Sequence, residues 1–466
     1  HGPQPIAEIK ALFARLKTEY PSAKVIASNL NAYAAELMKY KRVPQYTKEI
    51  GDNWIRGVGT DPLKVAQLRS LLHLRRGWLA AGLANPAEQR FHAFSRQLML
   101  VTEHTWGLDE KTHLNDFKNY EARDFARLRK TPAARKMERS WTEQRRYIQQ
   151  GLQALGNSPL ATEARAALKR LTPHRPDLHP FAPCDLATPL VNDRLSLRLD
   201  PATGAICHLT DRKKGEPPRV WADSRHVLGQ LTYTAYSQAD YDRYFRQYAR
   251  DVHLHGGWIV PDLTKPGMPK NIRHREWTAS LQAAYRREFT ASGRGGARTQ
   301  ELLVRLGFPK ECSHRFGAPR TVFVRYTLSE AAPQVAIQLA WFDKPATRLP
   351  EALWFGFAPK TTAAAAWQFR KLGVEIDPLQ VTEHGGRQLH AVDLGVACHD
   401  GRDCWQLLTP DAPLVAPGRE DMLDFSTRQP DMRHGVRVNL YNNTWGTNFP
   451  MWYDDDAQFR FVMGMP

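Results

Sequence analysis

The sequence predicts a multidomain α+β protein, and three observations support that fold class. A helix–strand–helix pattern fills the first 40 residues, and apolar residues recur at spacings of three and four between residues 61 and 171. Beyond residue 189 the apolar period changes to two. A chain of 466 residues is also too long for one ordinary domain, so two or three domains are expected.

The N-terminal region predicts the end of an α/β unit. Residues 4–19 have the apolar spacing of a helix, and Val25–Ala27 reads as a short apolar strand. Asn29 then caps a second helix over residues 30–37. A parallel strand needs neighbours on both sides. We therefore expect that an N-terminal segment of a larger α/β domain is missing, and that residues 1–40 are poorly stable and expose an apolar face.

The next region predicts a helical bundle. Asp61-Pro62 and Asn85-Pro86 each place a proline in the favoured first turn of a helix, and the second of these helices is expected to end at His104. Two further apolar stripes cover about Ala133–Leu155 and Leu160–Leu171. Four helices of this size form a domain of ordinary length.

Many short strands separated by glycine and proline turns predict an antiparallel β-sandwich for the rest of the chain. The strands expected from the alternation are Leu195–Leu199, Ala205–Leu209, Leu302–Leu306, Val322–Leu328, Val335–Leu339, Val436–Leu440 and Phe459–Val462. The predicted domains are therefore residues 1–58 for the end of the incomplete α/β domain and its loop, 59–172 for the bundle, and 173–466 for the sandwich.

The balance of charge restricts the possible partners. Lysine and arginine number 65 against 48 aspartates and glutamates, which gives a net charge of +17. The arginines are spread over helices and strands without a dense basic tract or a nucleic-acid motif, so we expect no nucleic-acid partner. A polyanionic or acidic sugar partner is compatible with this charge. No apolar run reaches the length of a membrane span.

The N-terminus and the cysteines bear on processing and location. The sequence begins with His1 instead of methionine, so we expect a processed chain or a fragment of a longer one, in a secreted or periplasmic protein. Five cysteines are too few for a disulfide scaffold, and a cysteine-based zinc site is not expected. Cys398 and Cys404 flank a turn-rich spacer that can close as a hairpin disulfide.

A candidate metal ligand lies where a long apolar helix ends. The apolar stripe of residues 91–101 marks a buried helix face, His104 follows three residues later, and Gly107 is expected to stop the helix. Imidazole is the commonest protein metal ligand, and a ring at a helix end can be aimed accurately. The alternative is a core histidine with a satisfied hydrogen bond, because one histidine does not define a metal site. Trp106 and Asp109 beside it are candidate substrate-binding residues.

Two polar loops carry tryptophans that suit sugar binding. In the first loop Asp52 and Asn53 precede Trp54, and in the second Asn443 precedes Trp445. Carboxylate and amide groups take sugar hydroxyls, and an indole stacks on a pyranose face. We therefore expect Trp54 and Trp445 to face a sugar-binding cleft instead of a core. The alternative for the first loop is a glycine-rich linker whose tryptophan packs on a domain seam.

Several stretches resemble those of known carbohydrate enzymes. They are Lys24–Ser28, Asp52–Trp54 with Gly57, Thr60 and Pro62, Asp200–Gly204, Trp341–Ala346, Arg348–Ala352, and also Glu49–Asp52, Glu103–Gly107 and Tyr441–Phe449. With the order of α/β unit, bundle and sandwich, they resemble family-38 glycoside hydrolases, the retaining α-mannosidases. The last three stretches are most similar to uncharacterised relatives of that family, the domain of unknown function numbered 5054. The resemblance covers essentially the whole chain.

This resemblance implies a complete fold and a reaction. The fold is the C-terminal remnant of an α/β barrel, followed by a helical bundle and a large antiparallel β-sandwich. The reaction is retaining hydrolysis of a carbohydrate, in which one carboxylate attacks the anomeric carbon and another, about 5 Å away, acts as acid and then as base. Glu49 and Asp52 are the carboxylates expected at the barrel mouth, and neither is identified as the nucleophile.

The resemblance also implies zinc or a similar divalent ion, which would orient sugar hydroxyls. The family holds its zinc through a His-x-Asp pair on the first barrel strand, the aspartate nucleophile and a histidine of the bundle. His104 resembles that last ligand by position. The other ligands belong to a part of the barrel that this chain does not contain, so we expect weak metal binding or none here.

Two other classes of function remain open from the sequence. One is a non-catalytic carbohydrate-binding or scaffold protein built from the bundle and the sandwich. The other is a lyase acting on an acidic polysaccharide, which the +17 charge and the closeness of His434, Arg437 and Tyr441 in the sequence suggest.

Overall fold

The structure is a computed structural model, and it describes residues 4–51, 54–103, 105–255, 257, 259–290 and 296–466. The chain divides into two compact units, His1–Lys48 and Glu49–Pro466. Helices and two large antiparallel sheets confirm the multidomain α+β class. The division into three domains with boundaries after residues 58 and 172 stays a prediction.

The first unit contains two helices, α1 (Ile6–Glu19) and α2 (Leu30–Leu37). The Asn29 side chain accepts a hydrogen bond from Ala32 N at 2.9 Å, which confirms it as the cap of α2. Neither helix has a buried side chain, and residues of their apolar faces such as Ile6 and Leu30 are 72% and 84% exposed. The expected exposed apolar face is therefore confirmed.

The strand predicted at Val25–Ala27 does not form. Its backbone is irregular, and no strand within the described ranges pairs with it. An isolated strand leaves its N–H and C=O groups without protein partners, so an apolar run of this length does not specify a strand by itself. The prediction of a strand between the two helices is therefore wrong for the described chain.

The helical bundle begins the second unit. A 3₁₀ segment, Trp54–Thr60, precedes α3 (Pro62–Ala80), α4 (Gln89–Val101), α5 (Glu110–His113), α6 (Ala122–Leu128), α7 (Pro132–Ala154) and α8 (Pro159–Lys169). Asp61, Thr131 and Ser158 each accept a hydrogen bond from the backbone N–H three residues later, and a proline follows each of them. Four long helices occupy the predicted regions, but α4 runs from Gln89 to Val101, so the predicted start at Asn85-Pro86 and the predicted end at His104 are wrong. None of the described helices has the length and apolar character needed to cross a membrane.

The role predicted for Gly107 is corrected by the structure. Helix α4 ends at Val101, so Gly107 lies in the following loop and does not cap the helix. A Cβ atom at Gly107 would lie 2.4 Å from a ring atom of Trp141 on α7. Glycine is therefore required there because the loop passes very close to α7.

The sandwich consists of two ten-stranded sheets, which also contain all seven strands predicted from the alternation. The strands are β1 (Ala182–Pro183), β2 (Leu190–Val191), β3 (Leu195–Leu199), β4 (Ile206–Asp211), β5 (Arg219–Ala222), β6 (Leu228–Ala235), β7 (Arg275–Thr278), β8 (Ser280–Thr290), β9 (Arg298–Gly307), β10 (Thr321–Ser329), β11 (Gln334–Phe342), β12 (Glu351–Phe357), β13 (Ala366–Lys371), β14 (Val374–Ile376), β15 (His390–Ala391), β16 (Gly395–Asp400), β17 (Asp403–Leu408), β18 (Leu414–Pro417), β19 (Val436–Asn442) and β20 (Ala457–Gly464).

The connections follow an antiparallel plan with short helical insertions. One sheet has the order β1-β8-β9-β10-β11-β20-β17-β16-β13-β14. The other has the order β15-β18-β19-β12-β6-β4-β3-β2, with β5 beside β4 and β7 beside β6. The insertions are α9 (Gln238–Tyr248), α10 (Val252–His255), α11 (Ile259–Leu263), α12 (Lys310–His314) and a 3₁₀ segment, Met432–His434.

One hydrophobic core joins the sandwich to the bundle. The inner sides of both sheets contribute to it, and so do Val65, Trp106 and Tyr120 of the bundle. A second core around Leu71 and Phe94 fills the bundle itself. Residues at the junction of bundle and sandwich are therefore held from both sides.

The candidate disulfide between Cys398 and Cys404 is not formed. Strands β16 and β17 make the expected hairpin, but Cys398 pairs with Trp405 and His399 pairs with Cys404. Side chains alternate between the two faces of a strand, so the two thiols point to opposite faces. Both cysteines are free, and the disulfide expectation is wrong.

Candidate functional site

The junction of bundle and sandwich brings together residues from the polar stretches singled out in the sequence. We call residues 442–449, which begin at the last residue of strand β19, the junction loop. At its start, Asn442 Nδ2 donates to Arg56 O at 2.9 Å, and near its end, Glu110 N donates to Thr447 O at 3.1 Å. The loop is therefore fixed between the 3₁₀ segment that opens the bundle and helix α5.

Trp54 is an exposed aromatic residue at this junction. The residue is 51% exposed, and its indole Nε1 donates to the Tyr248 hydroxyl at 3.2 Å. Its ring meets Trp445 edge-on, with the centroids 5.2 Å apart and the planes at 64°. Contacts with Trp445 and Tyr248 thus orient the ring while half of its surface stays accessible, which agrees with the predicted sugar-stacking role without testing it.

Trp445 is buried, in contrast to the prediction that it faces a cleft. Only 1% of it is exposed. The guanidinium carbon of Arg56 lies 4.8 Å from its ring centroid and 4.2 Å from that of Tyr244, and the Phe449 ring lies 6.1 Å from the Trp445 ring. Trp445 is therefore a packing residue that supports Trp54, and the prediction of a cleft instead of a core is wrong for it.

Trp106 is also buried, at 5% exposure, so its predicted contact with substrate is replaced by packing. Its ring lies 5.4 Å from the Phe449 ring, and the Lys64 ammonium lies 3.3 Å from its centroid. Burial lowers the pKa of Lys64 to about 7, although Asp61 raises it. Phe449 contacts both Trp106 and Trp445, so the two tryptophan stretches share one aromatic cluster.

Asp109 is a partly exposed carboxylate beside the junction loop. It caps helix α5 by accepting hydrogen bonds from Thr112 N and Oγ1, each at 3.0 Å. Thr447 Oγ1 donates to its other oxygen at 3.3 Å, and Lys111, itself paired with Asp262, lies 3.4 Å away. Burial opposes ionisation, but the Thr112 hydrogen bonds and the Lys111 charge outweigh it and lower the pKa of Asp109. Asp109 is therefore an ionised acceptor with 29% of its side chain accessible.

A buried ion cluster that the sequence did not reveal lies behind this carboxylate. Arg348, only 1% exposed, donates to Glu110 Oε1 and to Asp116 Oδ1, each at 2.6 Å. Burial raises the pKa of Glu110 against the influence of Arg348, whereas hydrogen bonds and Arg348 lower that of Asp116 against burial. The only sequence signal was Arg348 within a stretch that resembled the mannosidases. Because 238 residues separate it from Glu110, no spacing pattern could reveal the pair.

The ion cluster also fixes the middle of the junction loop. A Cβ atom at Gly446 would lie 2.9 Å from Glu110 Oε2 and 3.6 Å from Lys265 Nζ. Burial lowers the pKa of Lys265 to about 8, opposed by the nearby Glu110 carboxylate. Gly446 is therefore needed because the loop backbone passes directly over these charged groups.

Asn443 has a structural role in place of the predicted contact with sugar. Its Oδ1 accepts from Glu351 N at 2.7 Å, and its Nδ2 donates to the carbonyls of Thr347, Leu349 and Met451 at 3.0–3.2 Å. The residue is fully buried, and both ends of its amide are engaged. Asn443 thus holds the junction loop to strand β12 and is out of reach of a ligand at the surface.

Glu49, one of the two predicted catalytic carboxylates, is held against the sandwich. Its backbone exchanges hydrogen bonds of 2.8 Å with Gln380 O and Thr382 N, and its carboxylate pairs with Lys371 at 3.1 Å. The other predicted carboxylate, Asp52, lies outside the described residues. The structure therefore does not test the separation of these two carboxylates, and their catalytic role stays a prediction.

The described residues do not form a metal centre by themselves. Within the described ranges, no three His, Cys, Asp or Glu side chains are grouped so that they could hold a metal ion. The predicted ligand His104 lies outside those ranges, and its neighbour Glu103 accepts a hydrogen bond from Thr105 N at 2.8 Å. The side chains that are described do not fit a zinc site, so we derive no reaction step through a metal. A role for His104 stays a prediction.

The residues that suggested a lyase do not form an exposed reactive group. Tyr441 is fully buried in the core, with the Lys344 ammonium 4.5 Å from its ring centroid. Arg437 pairs with Glu276 at 2.9 Å and lies over the Trp354 ring. A buried phenol and a paired guanidinium are unsuited to abstracting a proton from a bound polysaccharide, so Tyr441 and Arg437 do not support the lyase interpretation. The third residue, His434, has a side chain that is 46% exposed, and a role for it stays a prediction.

Comparison with solved structures gives the same overall fold. The chain is similar to an alpha-mannosidase from Enterococcus faecalis V583, at 9% identity and a TM-score of 0.51, over 98% of this chain and 61% of that one. It is also similar to a protein in glycosyl hydrolase family 38 from Enterococcus faecalis, at 9% identity and a TM-score of 0.54, over 99% and 63%. The chain thus spans less than two thirds of the length of either structure.

These comparisons confirm the resemblance seen in the sequence. No curated protein matches the chain in sequence. The model of the domain of unknown function DUF5054, however, matches residues 58–336, which is more than half of the chain. The chain therefore belongs to the DUF5054 family, whose fold here is that of the family-38 glycoside hydrolases.

Proposed function

We propose that this chain is the C-terminal part of a retaining, metal-assisted glycoside hydrolase of the α-mannosidase-like type, and that its junction binds the carbohydrate substrate. The fold supports the general class, since the two similar structures are an alpha-mannosidase and a protein in glycosyl hydrolase family 38. Fold alone does not establish an activity. The argument for this chain therefore rests on the residues at the junction.

The exposed ring of Trp54 is the observation that carries the proposal. Large aromatic side chains are normally buried, and Trp54 is 51% exposed although a ring contact and a hydrogen bond fix its orientation. An oriented, accessible indole provides a flat apolar surface for the C–H face of a pyranose. Orienting the ring in advance also reduces the entropy lost on binding.

Asp109 supplies the polar part of the proposed site. Its carboxylate is kept ionised, is partly accessible, and is connected to the Trp54 support through Thr447 of the junction loop. An ionised carboxylate accepts hydrogen bonds from sugar hydroxyls. In this proposal Trp54 stacks on the sugar and Asp109 orients its hydroxyls. Glu49 and Asp52 remain candidates for a catalytic carboxylate other than the nucleophile, and His104 remains the candidate metal ligand.

Hydrolysis of 4-nitrophenyl α-mannoside by the full-length protein that contains this chain tests the proposal. We expect turnover that releases mannose with retained anomeric configuration, as followed by NMR. Trp54→Ala should raise KM about tenfold, equivalent to about 1.4 kcal/mol of binding, while Tm stays within a few degrees. Phe289→Ala is the matched control, because Phe289 is an aromatic residue that is 39% exposed on strand β8. It should leave KM unchanged.

Three results would contradict the proposal in different ways. Binding of mannosides without any turnover would favour the non-catalytic carbohydrate-binding protein. Products that absorb in the ultraviolet through a new double bond would indicate a lyase. Turnover with equal KM for wild type and Trp54→Ala would show a hydrolase whose sugar lies elsewhere than at the junction.

A further inference from the structure

The sandwich contains a concave surface that is lined by residues outside the junction loop. Strands β13 and β14, with the segments before and after them, form one wall, and residues 430–433 form the other. The enclosed volume is about 560 Å³, which is within the range of small-molecule sites. We call this space the edge cavity.

The edge cavity is open because the sheet ends there. Strand β14 has three residues, is the last strand of its sheet and pairs with β13. Strand β14 pairs with Phe369–Lys371, so in the described chain Ala366–Gln368 of β13 have no strand beside them at this edge. The two walls are connected, since Gln429 Nε2 donates to Leu379 O at 3.2 Å. The cavity is thus framed by connected segments instead of being a gap between independent loops.

The inner part of the edge cavity is apolar and well supported. Trp367 is 5% exposed, and its ring packs edge-on against Trp405 with the centroids 6.0 Å apart. Ile376 and Met432 are partly buried and pack on the main core. Ile376 and Met432 therefore provide an apolar surface, and the buried Trp367 belongs to the core behind it.

Two polar side chains at the rim of the edge cavity, Asp377 and Gln368, are each oriented by a hydrogen bond to one of their polar atoms. Asp377 Oδ1 accepts from Leu379 N at 2.8 Å, and Gln368 Oε1 is 3.0 Å from His399 Nε2. Within the described part of the chain, Asp377 Oδ2 and Gln368 Nε2 have no protein partner. One acceptor and one donor are therefore held in place at the rim and available to a ligand.

The charge of this lining differs in sign from that of the chain. Glu375, Asp377 and Asp431 are among the lining residues, and the one lysine or arginine in the described lining is Arg433. Arg433 is already engaged, since its Nη2 and Nε donate to Asp431 at 2.7 and 2.9 Å. Hydrogen bonds from Arg433 lower the pKa of Asp431 to about 2. Glu375 is likewise paired with Arg370 at 3.2 Å, so Asp377 is the lining carboxylate without an ion pair in the described residues, and the lining offers an anionic ligand no unpaired cation.

We propose that the edge cavity is a binding site for uncharged carbohydrate, separate from the site at the junction. The apolar face of a sugar would pack on Ile376 and Met432, and its hydroxyls would hydrogen-bond with Asp377 Oδ2 and Gln368 Nε2. A sugar is the class that combines an apolar face with many neutral donors and acceptors. A phosphate, sulfate or uronate would meet carboxylates with no unpaired cation to balance them.

Titration calorimetry of the full 466-residue chain with methyl α-mannoside, methyl β-glucoside and their disaccharides tests the proposal. We expect a dissociation constant on the order of 1 mM or lower for at least one of them. Ala366 is exposed and lines the cavity, so Ala366→Trp should fill the opening and weaken binding at least tenfold. Ala364 is equally exposed in the same segment but is not a lining residue, so Ala364→Trp is the matched control and should bind as wild type.

A second variant tests the polar contact. Asp377→Asn keeps the oxygen that accepts from Leu379 N and replaces the unpartnered acceptor with a donor, so we expect about fivefold weaker binding at unchanged Tm. Wild type, Ala366→Trp and Ala364→Trp are also compared in the Trp54→Ala background, where the junction stacking contact is absent, so that the remaining binding reports on the edge cavity. Equal affinity of wild type and Ala366→Trp would overturn the proposal. Binding of spermidine in place of every neutral sugar would also overturn it, since the cavity would then recognise cations.

Discussion

Trp54 and Trp445 stand in similar sequence surroundings, yet their environments in the structure are opposite. Each lies in a polar loop among Asn and Gly residues. The two indole rings contact each other, with their centroids 5.2 Å apart. Trp54 is 51% exposed and Trp445 is 1% exposed. The same local pattern therefore produced one accessible ring and one packing residue.

The difference arises from what precedes each tryptophan. Trp445 comes three residues after strand β19, which is hydrogen-bonded between β12 and β18, so the chain enters the junction loop from the middle of a sheet. Trp54 opens the 3₁₀ segment at the start of the bundle. A residue that leaves a central strand is surrounded by other elements, whereas a residue at the start of a helical segment has neighbours mainly on one side. Burial of a loop tryptophan is thus decided by the elements that flank it.

The largest effect that tests this comparison is the loss of the buried ring. Trp445→Ala should lower the free energy of unfolding by about 3–5 kcal/mol, the usual cost of removing a buried aromatic side chain. Trp54→Ala should cost about 1 kcal/mol or less, because half of that residue is already exposed. Urea denaturation followed by near-ultraviolet circular dichroism measures both. Equal losses for the two variants would show that exposure does not distinguish the two rings.

The second effect concerns the ion cluster beneath the junction loop. Arg348→Met removes the guanidinium but keeps most of the side-chain volume, and leaves Asp116 without its ion-pair partner and Glu110 with Lys265 as its nearby cation. We expect a loss of about 3 kcal/mol at pH 7, since breaking a buried ion pair leaves an uncompensated charge. Adding Glu110→Gln to this variant should recover part of that loss. A double variant that is no more stable than Arg348→Met would contradict the assigned role of the Glu110 charge.

The same variant has a pH dependence of defined sign. Burial already raises the pKa of Glu110, and loss of the Arg348 charge, which lowers it, should raise it further. A carboxyl whose folded-state pKa lies above its unfolded-state pKa favours folding in its protonated form, so stability falls as pH rises between the two values. The deficit of Arg348→Met relative to wild type should therefore be smaller at pH 5 than at pH 8. A deficit that grows toward pH 5 would reverse this assignment.

These examples show which features the sequence could predict. The Asn29 cap, the first-turn proline Pro62 and the alternation in β3 or β19 act through local hydrogen bonds, local dihedral angles and local periodicity, and the structure contains them as expected. The ion pair of Arg348 with Glu110 joins residues 238 positions apart, and the four hydrogen bonds of Asn443 depend on the packing of β12 beside its loop. Such contacts follow from tertiary arrangement, which no short pattern encodes.

The third effect tests the coupling between the two tryptophan loops. Gly57 and Phe449 belong to the 3₁₀ segment and the junction loop respectively, and a Cβ atom at Gly57 would lie 2.5 Å from the Phe449 ring. Gly57→Ala should therefore cost about 1–3 kcal/mol through overpacking and should change the fluorescence of the Trp54–Trp445 pair. Gly77→Ala is the control, because nothing lies within 4 Å of its added Cβ in helix α3.

The control variant has its own expected sign. Alanine is a better helix former than glycine by about 1 kcal/mol, so Gly77→Ala should stabilise the protein slightly. The comparison between the two glycines separates the steric effect from the general effect of adding a methyl group. If Gly57→Ala also stabilised the protein, the junction loop would be able to move away from the bundle, and the two tryptophans would not be rigidly coupled.

The smallest effect concerns the outer end of the junction loop, where the loop contacts the Asp109 carboxylate instead of an aromatic ring. Asp109→Asn keeps a residue that caps helices well and removes the negative charge that faces Lys111. We expect a loss of less than about 1 kcal/mol at pH 7, because the pair is partly exposed and screened by solvent. Thermal unfolding of wild type and variant over a range of pH measures it.

The pH dependence identifies the origin of that loss. The folded-state pKa of Asp109 lies below its unfolded-state value of 3.8. Ionised Asp109 therefore stabilises the fold fully above pH 3.8, and this contribution is lost as the pH falls through the lower folded-state pKa. Wild type and Asp109→Asn should therefore differ at pH 6 and converge below about pH 3.8. A difference that persists unchanged at acid pH would mean that the variant lost the cap geometry of α5. The hydrogen bonds of Asp109 would then hold the outer end of the junction loop. The negative charge of Asp109, which we propose accepts hydrogen bonds from sugar hydroxyls, would make no measurable contribution to stability.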